Sequence, residues 1–195
     1  SFNHSDIGGY TSLSTPLYSI TRDRELLLRW MELNAFTVVF RTHEGINPEA
    51  NHQFYTDEET LAHFSHCAKI YAAWADYRKF LVREAAQTGL PVVRHPFIHY
   101  PDDPVLQSIT CEQFMIGSVF MFAPVLDPGI QTITCHLPEG NWTHLWTGQS
   151  WVCPGEGLEV NVSAPLGMPA LFYLTASPES HTFIAALEMM GISLT

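Results

Sequence analysis

The stretch Glu25-Leu-Leu-Leu-Arg-Trp-Met-Glu-Leu-Asn-Ala-Phe36, continued by Thr37-Val-Val-Phe40, decides the fold class of the first half of this chain. From Arg22 to Phe36, Leu26, Trp30 and Leu33 recur at helical spacing, and Asp23 and Glu25 stand near the start, where the helix dipole favours acids. An amphipathic helix is expected there. Phe36 to Phe40 is a short, apolar, β-branched run of the kind that forms a strand buried on both faces, and it stops abruptly at the polar Arg41-Thr-His-Glu-Gly45. Working outward, Asp57-Glu-Glu-Thr60 opens a second helical stretch that keeps Leu61, Phe64, Ala68, Tyr71 and Ala75 on one face, with a break expected near Trp74 and a stop at Thr88-Gly-Leu-Pro91. In the other direction lies a first strand that ends in the polar cluster around His4 and Asp6. Strand, helix, strand, helix is the order of a parallel α/β sheet, and two such units are too few to cover their own edges. The chain also begins mid-motif at Ser1, without a methionine, so the natural polypeptide is expected to extend upstream.

Beyond Pro91 the texture changes. Short β-rich runs, Val92 to Tyr100, Phe120 to Val125, Gln131 to Leu137, Leu158 to Val162 and Ala170 to Leu174, are separated by Pro, Gly and Asp turns, the pattern of an antiparallel β-sandwich. A weakly helical stretch, Glu179 to Met190, is expected to pack on the sandwich edge. The expected division is residues 1–89 and residues 90–195, with the boundary near Gly89 to Pro91.

Composition narrows the partners. With 46% hydrophobic and 15% charged residues in 195, the chain is that of an ordinary folded protein, and its net charge of -11 argues against nucleic acid or an anionic membrane surface as a partner. No apolar run is long enough to span a bilayer, and no basic-then-apolar signal segment is visible, so a soluble protein is expected. Cys67, Cys111, Cys135 and Cys153 lie far apart and are read as buried free thiols. His63 and His66 share a helix with no third ligand nearby, so they are read as a solvated face and no metal site is assigned; no cofactor is implied either. Sequons occur at Asn3, Asn141 and Asn161, and glycosylation there would need a secretory route.

The polar clusters sit where the strands end: His4, Asp6 and Gly8-Gly9 after the first, and Arg41, His43 and Glu44 after the second. In a barrel that is the functional face. Asp6 before two glycines either makes a simple turn or lets backbone approach a ligand whose hydroxyls the carboxylate accepts. His43 could donate to a ring hydroxyl, hold a neighbouring carboxylate or cap a strand end. Asp6 and Glu44 could be nominated as a glycosidase carboxylate pair, which needs a separation of roughly 5 to 9 Å.

These clusters resemble family 31 glycoside hydrolases, (β/α)8-barrel enzymes followed by β-sandwich domains. His4-Ser-Asp-Ile-Gly-Gly-Tyr10 is similar to the family's loop after the seventh barrel strand, Glu25 to Phe36 to its seventh helix, and Phe40-Arg-Thr-His43 to the Arg-x-His after the eighth strand. Glu112-Gln-Phe-Met-Ile-Gly117 and Ala123-Pro-Val-Leu-Asp-Pro-Gly129 resemble its sandwich motif. The resemblance implies α/β plus all-β: the last two βα units of the barrel, then an antiparallel β-sandwich with a short terminal helix.

It implies a retaining α-glycosidase acting on an α-glycoside, with no catalytic residue in this chain, because the family's nucleophile and acid/base would lie upstream of Ser1. The substrate-binding residues it implies are His43 at the sugar of the -1 subsite, Asp6 in the loop, Tyr10 as aromatic wall and Arg41 beside the histidine. Tyr10 after the two glycines, with Arg41-Thr-His-Glu-Gly45, reads like the sulfoquinovosidase branch, whose tyrosine helps hold a sulfonate through water. A sulfoquinovosyl glycoside is then the expected substrate. The alternatives are a neutral α-glucosidase or α-xylosidase of the same family, or a non-catalytic sandwich that binds carbohydrate or another partner. One departure stands out: Ala72-Ala-Trp-Ala-Asp76 replaces the family's Leu-Pro-Tyr-Leu run and adds an acid to a segment expected to be buried.

Overall fold

In a computed structural model, residues 3–15 and 17–194 are described. A small hairpin of β1 (Leu13–Ser14) and β2 (Ser19–Ile20) precedes three helices, α1 (Arg24–Ala35), α2 (Glu58–Ala73) and α3 (Ala75–Thr88). Each start is chemically fixed: the side chain of Asp23 accepts from Leu26 N–H and that of Asp57 from Thr60 N–H, satisfying amides that a helix leaves unpaired. α2 and α3 meet at Trp74, where the break was expected, and its indole N–H donates to Ala35 O at 2.8 Å, pinning the joint to the end of α1. Gly89, at φ 81°, ends α3 in the left-handed conformation.

The rest is β3 (Val93–Arg94), a 3-10 turn at Pro96–Ile98, α4 (Pro104–Ser108), then β4 (Phe114–Ile116), β5 (Phe120–Ala123), β6 (Thr132–Leu137), β7 (Gly140–His144), β8 (Ser150–Cys153), β9 (Leu158–Ser163) and β10 (Ala170–Leu174), and finally α5 (Pro178–Met189). Antiparallel pairing gives a six-stranded sheet in the order β3-β4-β5-β10-β7-β8, with β6 and β9 paired separately. The two-residue period of a strand sorts the core. Ile116, Phe120, Phe122 and Leu171 face one cluster with Met31, Phe36, Trp74 and Phe183 of the helices. Met115, Met121, Ala123 and Phe172 face the other, with Leu137, Val160 and Val162 of the β6–β9 pair. The six-stranded sheet therefore packs against helices on one side and strands on the other. Gly117, at φ 57° between β4 and β5, brings its backbone so close to α3 that a Cβ would lie 2.2 Å from the Tyr77 hydroxyl oxygen.

Several expectations need correction. Phe36 to Phe40 is not a strand, and among the described residues the parallel pairing reduces to one bridge, Ile7 opposite Thr42, with Ile7 N–H donating to Arg41 O at 3.0 Å. A strand exists only through its neighbours' hydrogen bonds, and the one bridge falls just beyond this run, at Thr42. The inward face of α1 is Leu27, Leu28, Met31 and Ala35, while Leu26 is 43% exposed. Three consecutive leucines fit either stripe, and the elements packed against the helix choose. Leu61 is likewise exposed, and α2 buries Thr60, Cys67, Ile70 and Ala73. The run from Val92 to Tyr100 gives only β3 before Pro96 starts the 3-10 turn. β4, β7 and β8 were not anticipated as strands. α5 packs not at a sandwich edge but through Phe183 and Leu187 into the cluster between sheet and helices, with the Phe183 ring 5.4 Å from that of Phe120. Cys111 is exposed, the other three cysteines buried. Asp76 is also exposed, pairing with Lys79 at 3.1 Å, so Trp74 takes the buried place in the divergent segment.

His63 and His66 are not a solvated face: their Nε2 atoms reach Leu28 O at 3.1 Å and Gly167 O at 2.9 Å, tying α2 to α1 and to the loop before β10. Burial pushes His63 down to about 4, and does the same to His144, whose Nε2 is buried without a hydrogen-bond partner among the described residues. Both folded values lie below the ordinary histidine value, so the folded state binds fewer protons than the unfolded chain. Their stabilisation is complete above about pH 6.5 and is lost as pH falls toward about 4. By about pH 5.5 each histidine should cost about 1 kcal/mol. Glu32, whose carboxyl burial pushes up, offsets part of this. Urea midpoints measured down that range should fall, and replacing His144 with a neutral, similarly sized residue should flatten the slope; a flat wild-type profile would contradict the assignment.

Candidate functional site

The expected binding residues do meet at one place. α1 holds the first loop: Trp30 Nε1–H donates to Ser5 Oγ at 3.0 Å and Asn34 Nδ2–H to Ser5 O at 2.8 Å. From there Asp6 reaches across to the second loop, where Arg41 Nη2–H donates to its Oδ1 at 2.7 Å, and His4 Nε2 lies 2.9 Å from the same oxygen. The Arg41 guanidinium and then the His4 ring hold the Asp6 carboxyl below the usual aspartate value. An acid held down in this way is an anion and a strut, not a proton donor. Glu44 is likewise engaged, accepting from the Tyr55 hydroxyl at 2.9 Å. Neither carboxylate of the superficially attractive pair is therefore prepared for general-acid chemistry.

His43 and Tyr10 form the exposed surface beside this strut, their rings in edge contact with centroids 4.9 Å apart. Gly45 N–H donates to His43 Nδ1 at 2.9 Å, so the neutral ring carries its proton on Nε2 and presents a donor. Ile46 N–H donates to Tyr10 O at 3.1 Å, stitching the two loops directly. The arrangement offers a ring N–H, a phenol, a guanidinium and a carboxylate, the mixture of directed polar groups and aromatic surface suited to a polyhydroxylated ligand. Among the described residues no group of three or more His, Cys, Asp or Glu is placed to hold a metal ion, and no helix is long and apolar enough to cross a membrane.

Comparison with known proteins gives the same address. Residues 1–81 match the glycosyl hydrolases family 31 TIM-barrel domain, and residues 89–174 the glycosyl hydrolase family 31 C-terminal domain. The chain belongs to glycoside hydrolase family 31. Among its relatives it is 43% identical over 186 residues to a sulfoquinovosidase of Escherichia coli (strain K12), covering 95% of this chain and 26% of that protein. It is 42% identical to one of Agrobacterium fabrum, covering 97% and 27%. A solved family 31 sulfoquinovosidase from E. rectale, in complex with an aza-sugar inhibitor, superposes with a TM-score of 0.86 at 39% identity, covering 96% of this chain and 27% of that one. This family 31 chain thus spans about a quarter of the length of the relatives it matches.

Three residues at the site escaped the sequence reading: Arg22, Asn51 and Gln53, all buried. The periodicity places Arg22 at the start of the helix, but α1 begins at Arg24 and the Arg22 side chain turns inward. One signal was there: a cation just ahead of a helix start is where the dipole disfavours it, so another interaction must hold it. Asn51 Oδ1 accepts from Ser12 Oγ at 2.8 Å and from Arg22 N–H at 3.0 Å, and Gln53 Nε2–H donates to Glu44 O at 3.0 Å. Their spacing carries no motif that would have marked them.

Proposed function

We infer that this chain is the C-terminal part of a retaining α-glycosidase of the sulfoquinovosidase kind, in which it supplies one wall of the sugar site at the -1 position. Its division at about residue 89 separates the last two βα units of a barrel from a β-sandwich. The observation that carries this reading is the joining of His43, Tyr10, Asp6 and Arg41 at one surface, on a chain 43% identical to a sulfoquinovosidase along nearly its whole length. His43 Nε2–H donates to a sugar hydroxyl, Tyr10 lines the ring, and the Asp6–Arg41 pair fixes the loop edges. The nucleophile and the acid/base belong to earlier barrel strands, and the residues here orient the sugar between them.

If Tyr10 orders a water on a sulfonate, Tyr10→Phe, which keeps the ring and removes the hydroxyl, should reduce kcat/KM for a sulfonated aryl α-glycoside by about tenfold and leave its neutral counterpart within about twofold. The comparison is made on the longer polypeptide that contains this chain. Equal losses on both sugars would make Tyr10 a generic wall and favour a neutral α-glucosidase or α-xylosidase.

A further inference from the structure

We propose that Arg22 is the positioning residue of this sugar wall, a buried guanidinium clamp that sets the distance between the loop of Asp6 and Tyr10 and the loop of Arg41 and His43. The inference rests on the functional reading above for its kinetic consequences, but its geometry stands apart from it. The residue is 4% exposed. Its Nη1–H groups donate to Ile7 O at 3.1 Å, to His43 O at 2.8 Å and, at a longer 3.4 Å, to Gly9 O. Its Nη2–H groups donate to Gln53 Oε1 at 2.7 Å and Glu44 O at 3.4 Å, and Nε–H donates to His52 O at 2.8 Å. Backbone carbonyls of 7–9, 43–44 and His52, with the side-chain amide oxygen of Gln53, therefore converge on one planar fork. Tyr10 and His43, the two exposed rings of the wall, each sit next to a carbonyl that this fork holds.

Two glycines record how closely the loops are moulded around the clamp. A Cβ on Gly8, at φ 84°, would lie 2.1 Å from Arg22 Cδ, and one on Gly45, also at φ 84°, would lie 2.6 Å from Asn51 Nδ2. Asn51 in turn receives the Arg22 backbone N–H. Gly8 stands between Asp6 and Tyr10 in sequence, and Gly45 just after His43, so both wall loops use the conformational freedom and missing side chain of glycine to approach the same cluster. Among the described residues, none of the hydrogen-bond acceptors around the guanidinium is a carboxylate. Burial lowers the Arg22 pKa from its ordinary value, but a guanidinium stays protonated in proteins, so a charged group is enclosed by neutral dipoles. Such burial is costly, and stability by itself is poorly served by it; what it confers is a unique loop arrangement. A lysine cannot reproduce it, because an ammonium has three donors radiating from one point and the fork spans six acceptors on three segments.

The test uses the full-length enzyme containing this chain, with Arg22→Lys as the variant and two readouts. Since displacement of a binding group by about 1 Å can cost about a hundredfold in rate, kcat on an aryl α-glycoside should fall at least about tenfold while KM stays within about threefold. Amide exchange at Gly9, Gly45 and Ile46 should accelerate at least about tenfold, with the amides of α2 and α3 unchanged. A role in stability alone would lower the unfolding midpoint, leave kcat of the folded fraction at the wild-type value, and raise exchange without regard to position; either result overturns the proposal. Should Arg22→Lys fail to fold, Gln53→Met, which removes the acceptor on Nη2, must give the same local exchange pattern at smaller amplitude, and an unaltered pattern there also overturns it. If the wild-type enzyme hydrolyses neither sulfonated nor neutral α-glycosides, the functional reading fails, while the exchange pattern still decides the clamp.

Discussion

Replacing Glu32 with alanine is expected to lower the unfolding free energy by about 3–5 kcal/mol, the cost of stranding a buried charge. Glu32 and Arg29 sit one turn apart on α1 with side chains 3% and 7% exposed, and Arg29 Nη1–H donates to Glu32 Oε2 at 2.9 Å. Each also reaches the β-rich half: Glu32 Oε1 accepts Gly167 N–H at 2.6 Å, and Arg29 Nη2–H donates to Ile130 O at 2.9 Å. Burial pushes the Glu32 carboxyl up, and the guanidinium and the Gly167 amide act against that shift. Arg29 Nε already lacks a partner among the described residues, which leaves no reserve when the carboxylate is removed. Glu32→Gln keeps an acceptor for Gly167 but not the charge, and should cost roughly half as much. Urea unfolding of both variants measures this, and a loss below about 1 kcal/mol for alanine would show that the pair is not the joint between α1 and the sheet half.

Replacing His43 with alanine, in the longer polypeptide, should lower kcat/KM by about 10- to 100-fold, equivalent to about 1–3 kcal/mol for a lost donor to an enclosed hydroxyl. The fold should not notice. His43 is exposed, its ring touches Tyr10 at one edge, and the Gly45 N–H that it accepts would turn to water. Unchanged kinetics in a variant with a wild-type melting transition would remove His43 from the sugar site.

The sequence disclosed what depends on local chemistry and concealed what depends on distant partners. α1 and α2 announce themselves through Asp23 and Asp57, whose caps act within three residues, and the α2–α3 break shows in the texture around Trp74. The expected faces hold in part, with Trp30, Leu33, Phe64 and Tyr71 against the core but Leu26 and Leu61 exposed; in α1, Leu26, Leu27 and Leu28 offer equivalent stripes until tertiary packing chooses. Phe36 to Phe40 has the composition of a strand, yet composition cannot supply the neighbour that makes a ladder. β7 and β8 were overlooked for a related reason: Gly140-Asn-Trp-Thr-His144 alternates only weakly, and the strand is held by pairing with β10 and β8. At the candidate site, Asp6, Arg41 and His43 are legible as polar groups at loop positions, and Tyr10 through the family resemblance. Arg22, Asn51 and Gln53 carry no such signal because their role is to satisfy backbone carbonyls, from 13 to 30 residues away for Arg22 and from the neighbouring loop for Asn51 and Gln53.

The most direct test of the account is the hydrolysis of aryl α-glycosides, sulfonated and neutral, by the 195-residue chain as it stands. Its wall can orient a sugar, but the Asp6 carboxylate is engaged by Arg41 and His4 and Glu44 by Tyr55, so this pair is not set to act as nucleophile and acid across a glycosidic bond. The account predicts a rate equal to the buffer blank for both sugars. Turnover above the blank that disappears in Asp6→Asn would contradict it, and would place bond-breaking chemistry within these residues.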